Sequence, residues 1–296
     1  MTEVEAEQKL HSILDTLDIH RGDLVYLGVD MGGVILPAYP AELNGQAIRG
    51  REKGWCEFLL SSLITYLGPE GTILAPAFTY SCGAPGSIFI VEDTPAEVGP
   101  FTSFLSLHPL ARRSSHPLFS VSGIGPLTQK ILDDTGKAAF GARSVFGRLN
   151  DYDCKFLCLG TSIGTSLTYI HHLEQTYGCN GRYNKMFHTK VMRNLEEVPG
   201  PWLAYVGYHS IVHAPQCETI EKQLRQAGVL KETYFKSRPY QSVNIRDVNQ
   251  VGYSMLEANQ CAFRAYDTEV ILDETEMKKA PLSGPMVKLN LFSSNE

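Results

Sequence analysis

A chain of 296 residues, 43% hydrophobic and 20% charged, can bury roughly three quarters of its unfolded surface, which excludes a disordered protein. A formal net charge of −6 provides no basic field for a phosphate backbone, so a nucleic-acid partner is not expected, although a local basic pocket is still allowed. No apolar run reaches the roughly 18 residues of a bilayer span, and the acidic start MTEVEAEQKL does not read as a secretory signal, so a cytoplasmic protein with no membrane partner is expected.

In chain order, Leu10, Ile13, Leu14 and Leu17 share one face, the spacing of an amphipathic helix. Asp23 introduces LVYLGV, a short apolar run that reads as a buried strand. A Gly/Pro-rich loop follows from Met31 to about Gly50. The next predicted helix, Trp55 to Leu67, is closed by Gly68-Pro69. Thr72–Ala75 reads as a second strand, and the stretch from Cys82 to Pro100, broken by three prolines, as a loop. Helices are predicted over Thr102–Leu107, after Pro126, over Thr165–Tyr177, Glu218–Gln226 and Val251–Ala262. Strands are predicted over Ser120–Ser122, Lys155–Leu159, His188–Met192, Leu203–Tyr208 and Val243–Ile245. Interleaved strands and helices give the α/β class: one domain over residues 1–296, an α/β/α sandwich with a mixed, largely parallel sheet that residues 200–296 complete.

The seven cysteines form no CxxC pair and no zinc spacing; reduced thiols and no metal are expected. Neither GxxxxGK[ST] nor GxGxxG occurs, which weighs against a triphosphate P-loop and a nicotinamide dehydrogenase. Three clusters bear chemistry. Gly160-Thr161-Ser162-Ile163-Gly164 matches the G-x-S-x-G elbow of a serine hydrolase and sits between a strand and a helix. It lacks the acid expected next, with His209 and His213 the later histidines considered, and it equally suits a close-packed turn. Thr168-x-x-His171-x-x-Glu174 places His171 and Glu174 on one helix face, with Thr168 one turn earlier. A carboxylate beside an imidazole makes a general base near neutral pH, and such pairs also occur as purely structural contacts. Arg112-Arg113-Ser114-Ser115-His116 gathers forked cations and hydroxyls suited to phosphate, as solvated loops also do.

Taken together, six segments in one order resemble a known family. They are Asp23–Tyr26 leading to Val29-Asp30-Met31; Gly71–Tyr80; Thr94–Gly99; Arg113–Ser120; Phe140-Gly141 with Ser144; and Leu159-Gly160 running into Thr168–Glu174. Over about residues 5–190 the chain resembles the antibiotic N-acetyltransferases, whose best-known members are aminoglycoside 3-N-acetyltransferases. The stretch Tyr169–Glu174 followed by Arg182–Phe187 is similar to a branch that acylates amino groups on nucleotide-linked amino sugars. Two features depart from the family: Val29-Asp30-Met31-Gly32 stands where a serine pair is frequent, and residues Tyr39–Arg51 look inserted.

The resemblance implies transfer of an acetyl or other acyl group from an acyl-CoA co-substrate to a small amine, with no metal. His171 would be the base and Glu174 its orienting partner. Arg113, Ser114, His116 and Ser120 would hold the phosphates and arm of coenzyme A. Asp30, Met31 and Gly32 would sit at the cofactor, with oxyanion donors from the Met31–Gly33 turn. Tyr80, Glu97 and Thr168 would face the acceptor amine. The chain alone leaves the oligomeric state open, a homo-oligomer included.

Overall fold

The computed structural model describes residues 1–38, 47–179, 182–207, 217–263, 268–271 and 288–291. The chain opens with α1 (Glu3–Thr16), started by a capping box in which Thr2 and Glu5 satisfy each other's backbone N–H groups. β1 (Leu24–Val29) follows. α2 (Ala47–Leu67) begins eight residues before the sequence prediction, because the Gly and Arg residues of its first turns carry no helical apolar pattern. It closes on Gly68, whose φ of +71° and bond to the Ile64 carbonyl complete a helix stop. β2 (Thr72–Pro76), α3 (Pro100–Ser106), β4 (Arg112–Arg113), β5 (Val121–Ile124), α4 (Thr128–Leu132), α5 (Val145–Asp151) and β6 (Lys155–Leu159) complete the first part of the main layer; β3 (Ile88–Ile90) leaves it for a small sheet.

The predicted helix 165–177 is two helices, α6 (Ile163–Ser166) and α7 (Ile170–Tyr177), broken where Leu167 takes ψ 74°. Thr168 therefore lies in the turn before α7 rather than on its face. Beyond it come β7 (Arg182–Phe187), β8 (Lys190–Arg193), β9 (Glu196–Val198), β10 (Trp202–Gly207), α8 (Cys217–Gln226), β11 (Lys231–Phe235), β12 (Arg238–Asn244) and α9 (Ile245–Ala258), then the paired β13 (Thr268–Ile271) and β14 (Lys288–Leu291).

The main sheet has seven strands in the order β11-β12-β6-β1-β2-β5-β4. Only β1–β2 and β1–β6 pair in parallel; the other four neighbours are antiparallel. The expectation of a largely parallel sheet is therefore corrected. The physical reason lies at the edges: β11 and β12 form a hairpin whose two-residue turn, Lys236-Ser237, has positive φ at both positions. That is the turn geometry that matches strand twist, reached here without glycine. Strands β11 and β12 join beside β6, so residues 231–244 do extend this sheet.

Alternation along β1 sends Leu24 and Tyr26 into one core and Val25 and Leu27 into the other. Helices α1 to α3 cover the second core, and α4 to α9 cover the first. To this layered body are added β3-β8-β9 and β7-β10, packed over a third apolar cluster around Phe89, Trp202 and Leu118. The fold is thus more than one sandwich. All seven cysteines are buried. No helix among the described residues is long and apolar enough to cross a membrane.

Candidate active site

Helix α7 buries Ile170 and Leu173 in the core and so aims His171 and Glu174 to one side. His171 Nδ1 lies 3.1 Å from Glu174 Oε2. The same oxygen accepts from Arg182 Nε, 2.9 Å away on β7. The Glu174 side chain is only 2% exposed and that of His171 15%, so the pair interacts in a poorly screened setting. Burial holds the His171 pKa below the ordinary imidazole value, the nearby Arg182 charge adds to this, and Glu174 opposes it. A neutral ring that donates from Nδ1 to Glu174 keeps a lone pair on Nε2.

His172, next in sequence, does something different. It is buried and its Nδ1 lies 2.7 Å from the Phe140 carbonyl, which fixes the segment before α5. The Phe140 ring meets the edge of His171 at 5.3 Å between centroids. From there aromatic contacts run to Phe119 at 4.8 Å and on to Tyr80 at 5.9 Å. Tyr80 is 45% exposed and begins a short 3-10 turn over Tyr80–Gly83. The Glu97 carboxylate accepts from the Ser81 N–H at 3.2 Å and from its hydroxyl. Tyr80 and Glu97 are therefore neighbours, joined to His171 by one aromatic wall. Thr168 contributes its carbonyl, which accepts from the His171 N–H at 3.1 Å.

The Arg113 cluster is placed differently from the expectation. Arg113 is 4% exposed, and its guanidinium donates to the Ser120 hydroxyl at 3.0 Å, to the Ala77 carbonyl at 2.7 Å and to the Thr94 carbonyl. It also lies over the Phe89 ring. Burial lowers its pKa to about 10, still cationic at neutral pH. The Ser114 hydroxyl accepts from the Val121 N–H at 2.9 Å, and Ser120 donates to the Ala77 carbonyl at 2.7 Å. His116 accepts on Nδ1 from the Leu118 and Phe119 N–H groups, and its Nε2 faces the Leu203 carbonyl at 3.1 Å. Burial pushes its pKa down to about 4, so it is neutral. These four side chains brace β2, β5 and the β10 strand: Arg113 donates to the Ala77 and Thr94 carbonyls and the Ser120 hydroxyl, Ser120 donates to the same Ala77 carbonyl, Ser114 accepts from the backbone, and His116 Nε2 faces the Leu203 carbonyl.

Asp30 follows β1 at the carboxyl end of the parallel strands, the usual ligand side of such a sheet. Its Oδ1 accepts from the Gly32 N–H at 2.9 Å, and its carbonyl accepts from Gly33 and Val34. Two N–H groups of the Met31–Gly33 turn expected to serve an oxyanion, those of Gly32 and Gly33, are thus used within the turn itself, as is that of Val34 just after it. Asp30 is also ion-paired with Arg238 of β12, a half-exposed cation 208 positions away that sequence reasoning missed. Gly33 is required here, since a Cβ on it would lie 2.3 Å from the Gly160 carbonyl.

Ser162 does not form a nucleophile elbow. The left-handed residue is Gly160, whereas Ser162 is extended at φ −108° and ψ 161° and its hydroxyl lies 3.1 Å from Thr165 Oγ1. His209 and His213 lie outside the described residues. Replacement Ser162→Ala is expected to leave the rate of acyl transfer within about two-fold, and Ser162 of the parent enzyme is expected to form no adduct with a fluorophosphonate probe. A thousand-fold loss with unchanged circular dichroism would restore the hydrolase reading. Among the described residues, no group of three or more His, Cys, Asp or Glu side chains is arranged to hold a metal ion.

Arg182 was visible in the sequence only as part of a motif. Its role needs the pairing of β7 with β10, which sets Arg182 opposite Gly207 and turns it back toward α7.

The profile of the aminoglycoside 3-N-acetyltransferase family matches residues 46–257, well past the residue-190 limit read from the sequence. A search of curated protein sequences gives no match. Among solved structures, aminoglycoside acetyltransferase AAC(3)-Xa is similar with a TM-score of 0.70 and 18% identity, over 89% of this chain and 94% of that one. AAC-IIIb, solved as a binary complex with CoASH, gives a TM-score of 0.68 and 18% identity, over 88% and 98%. The YokD protein from Bacillus subtilis gives 0.65 and 16% identity, over 86% and 99%. At these identities the likeness is one of fold.

Proposed function

Because the chain belongs to the aminoglycoside 3-N-acetyltransferase family, a family of enzymes that use acetyl-CoA, we propose that it moves an acetyl group from coenzyme A to an amine of an amino sugar, with His171 as the general base. The observation that carries this reading is the buried His171–Glu174 contact of 3.1 Å beside the aromatic wall. An ammonium must lose a proton before it can attack a thioester carbonyl, and a neutral imidazole oriented by a carboxylate is suited to take it. Glu174 then steadies the imidazolium. The first proton of the ammonium passes through His171 to water; as the neutral amine attacks, the remaining excess proton of its nitrogen goes to His171 Nε2, and when the C–S bond breaks the departing sulfur takes that proton, so the ring ends the cycle neutral with one proton released per turnover. Acetyl-CoA supplies the acyl group; the buried Arg113, Ser114, His116 and Ser120 shape the wall behind it.

We further propose a nucleotide-linked amino sugar as the acceptor. The support is the stretch Tyr169–Glu174 with Arg182–Phe187, which is similar to the sugar-nucleotide branch. The second reading, an aminoglycoside drug, is favoured by fold neighbours solved with a gentamicin and with sisomicin. Thiol release from acetyl-CoA, followed with a panel of amines, separates the two. Turnover on nucleotide-linked amino sugars with little on gentamicin or sisomicin is expected. Efficient turnover of the drugs alone overturns the branch assignment, and turnover of no amine overturns the transferase reading of this chain.

A further inference from the structure

We infer that Arg182 is a positioning residue of the His171–Glu174 pair: its guanidinium holds the Glu174 carboxylate against His171 Nδ1 and thereby fixes which imidazole nitrogen meets the acceptor amine. This rests on the reading of His171 as the base. The geometry begins with a single oxygen, Glu174 Oε2, that takes both Arg182 Nε at 2.9 Å and His171 Nδ1 at 3.1 Å. The three side chains are 19%, 2% and 15% exposed, in the order Arg182, Glu174, His171, so water screens them little.

A buried carboxylate with one imidazole neighbour has two stable states, an ion pair or a neutral hydrogen bond. Arg182 removes that ambiguity. With Arg182 present, Glu174 already has a full opposite charge, and protonating His171 would give the buried cluster a net positive charge. The ring is therefore held in its neutral form with Nδ1–H toward Glu174, and it becomes cationic only when the amine delivers its proton.

Among the described residues, the contacts that follow place no further cation at the cluster. From the segment before α5, Phe140 presents an apolar ring to His171. From β10, the Tyr205 hydroxyl donates to the Cys179 carbonyl at 2.8 Å, with the Glu174 carbonyl at 3.4 Å. From α8, the Cys217 thiol is pushed up to about 12 by burial and then by Glu174, so it stays protonated. Arg182 itself is held by the antiparallel register of β7 with β10. Its position thus comes from a strand pairing independent of α7.

The test compares Arg182→Met and Arg182→Gln with the parent enzyme. Two readouts are used: the pH profile of kcat/KM with acetyl-CoA and a turned-over amine, and the His171 ring titration followed by NMR on histidine-labelled protein. Loss of the neighbouring positive charge should raise both the acid limb and the NMR titration by about one pH unit. Arg182→Lys, which keeps the charge but not the fork, should stay near the parent in titration while losing part of kcat. An unmoved His171 titration in a folded Met or Gln variant overturns the inference; if Met does not fold, the Gln variant decides. The base reading fails separately, through a His171→Ala enzyme that keeps its rate, and the NMR titration does not depend on it.

Discussion

His171→Ala is expected to lower kcat on the order of 10² to 10⁴, the range for loss of a general base, with affinity for coenzyme A nearly unchanged. The split between rate and binding follows from the surroundings of the ring. The ring contacts the Glu174 carboxylate, which in turn holds Arg182, and the Phe140 ring, whereas the proposed base role concerns the acceptor amine. In the parent enzyme kcat/KM should fall on the acid side as His171 gains its proton. Burial and Arg182 depress that pKa, so activity should persist to lower pH than a free imidazole would allow. The sign is set by the base: it works when neutral, above its own pKa, and fails below it. A His171→Ala enzyme with full rate and the same acid limb would make the α7 pair structural. Glu97, beside Tyr80 at the other end of the aromatic wall, would then be the next base to test. Glu174→Gln is expected to cost less than the histidine change if the carboxylate only orients the ring.

Arg113→Met is expected to destabilise the protein by about 3–4 kcal/mol, with a fall in melting temperature of roughly 5–6 °C. Methionine retains an apolar stem against Phe89 but removes donors to the Ala77 and Thr94 carbonyls and the Ser120 hydroxyl. Leaving buried acceptors short of a donor is the costly part, most of all the Thr94 carbonyl, since Ala77 keeps its bond from Ser120; an acceptor that finds no water costs about 1–3 kcal/mol. The affected carbonyls belong to the ends of β2 and the loop before α3, so the wall near Tyr80 should loosen as well. Thermal unfolding of the variant against the parent checks the figure. A variant with the parent's melting temperature and a selective loss of affinity for coenzyme A over dephospho-coenzyme A would return Arg113 to the phosphate-binding role that its sequence context suggests.

Local periodicity by itself determined much of this protein. The apolar face of α1, the buried runs of β1 and β6, the stop of α2 at Gly68 and the adjacency of His171 and Glu174 all depend on residues within a turn or two of one another. The ordered motifs pointed to the acetyltransferase family, and the family profile extends that assignment to residue 257. Tertiary structure decided the rest. Whether Arg113 meets a phosphate or three internal acceptors depends on where Ala77, Thr94 and Ser120 lie in space, and RRSSH reads the same in either case. The break that removes Thr168 from α7 arises where small residues of α6 pack close to β1: a Cβ on Gly28 would lie 2.8 Å from the Ser166 Cβ. The antiparallel edges of the sheet rest on turns such as Lys236-Ser237, which carry no glycine signal. Arg182 reaches Glu174 because β7 pairs with β10, and Arg238 reaches Asp30 across 208 positions because β12 lies beside β6. Such contacts depend on strand register between distant segments, and the free energy that selects a register comes from burial over the whole sheet, which no short window of sequence contains.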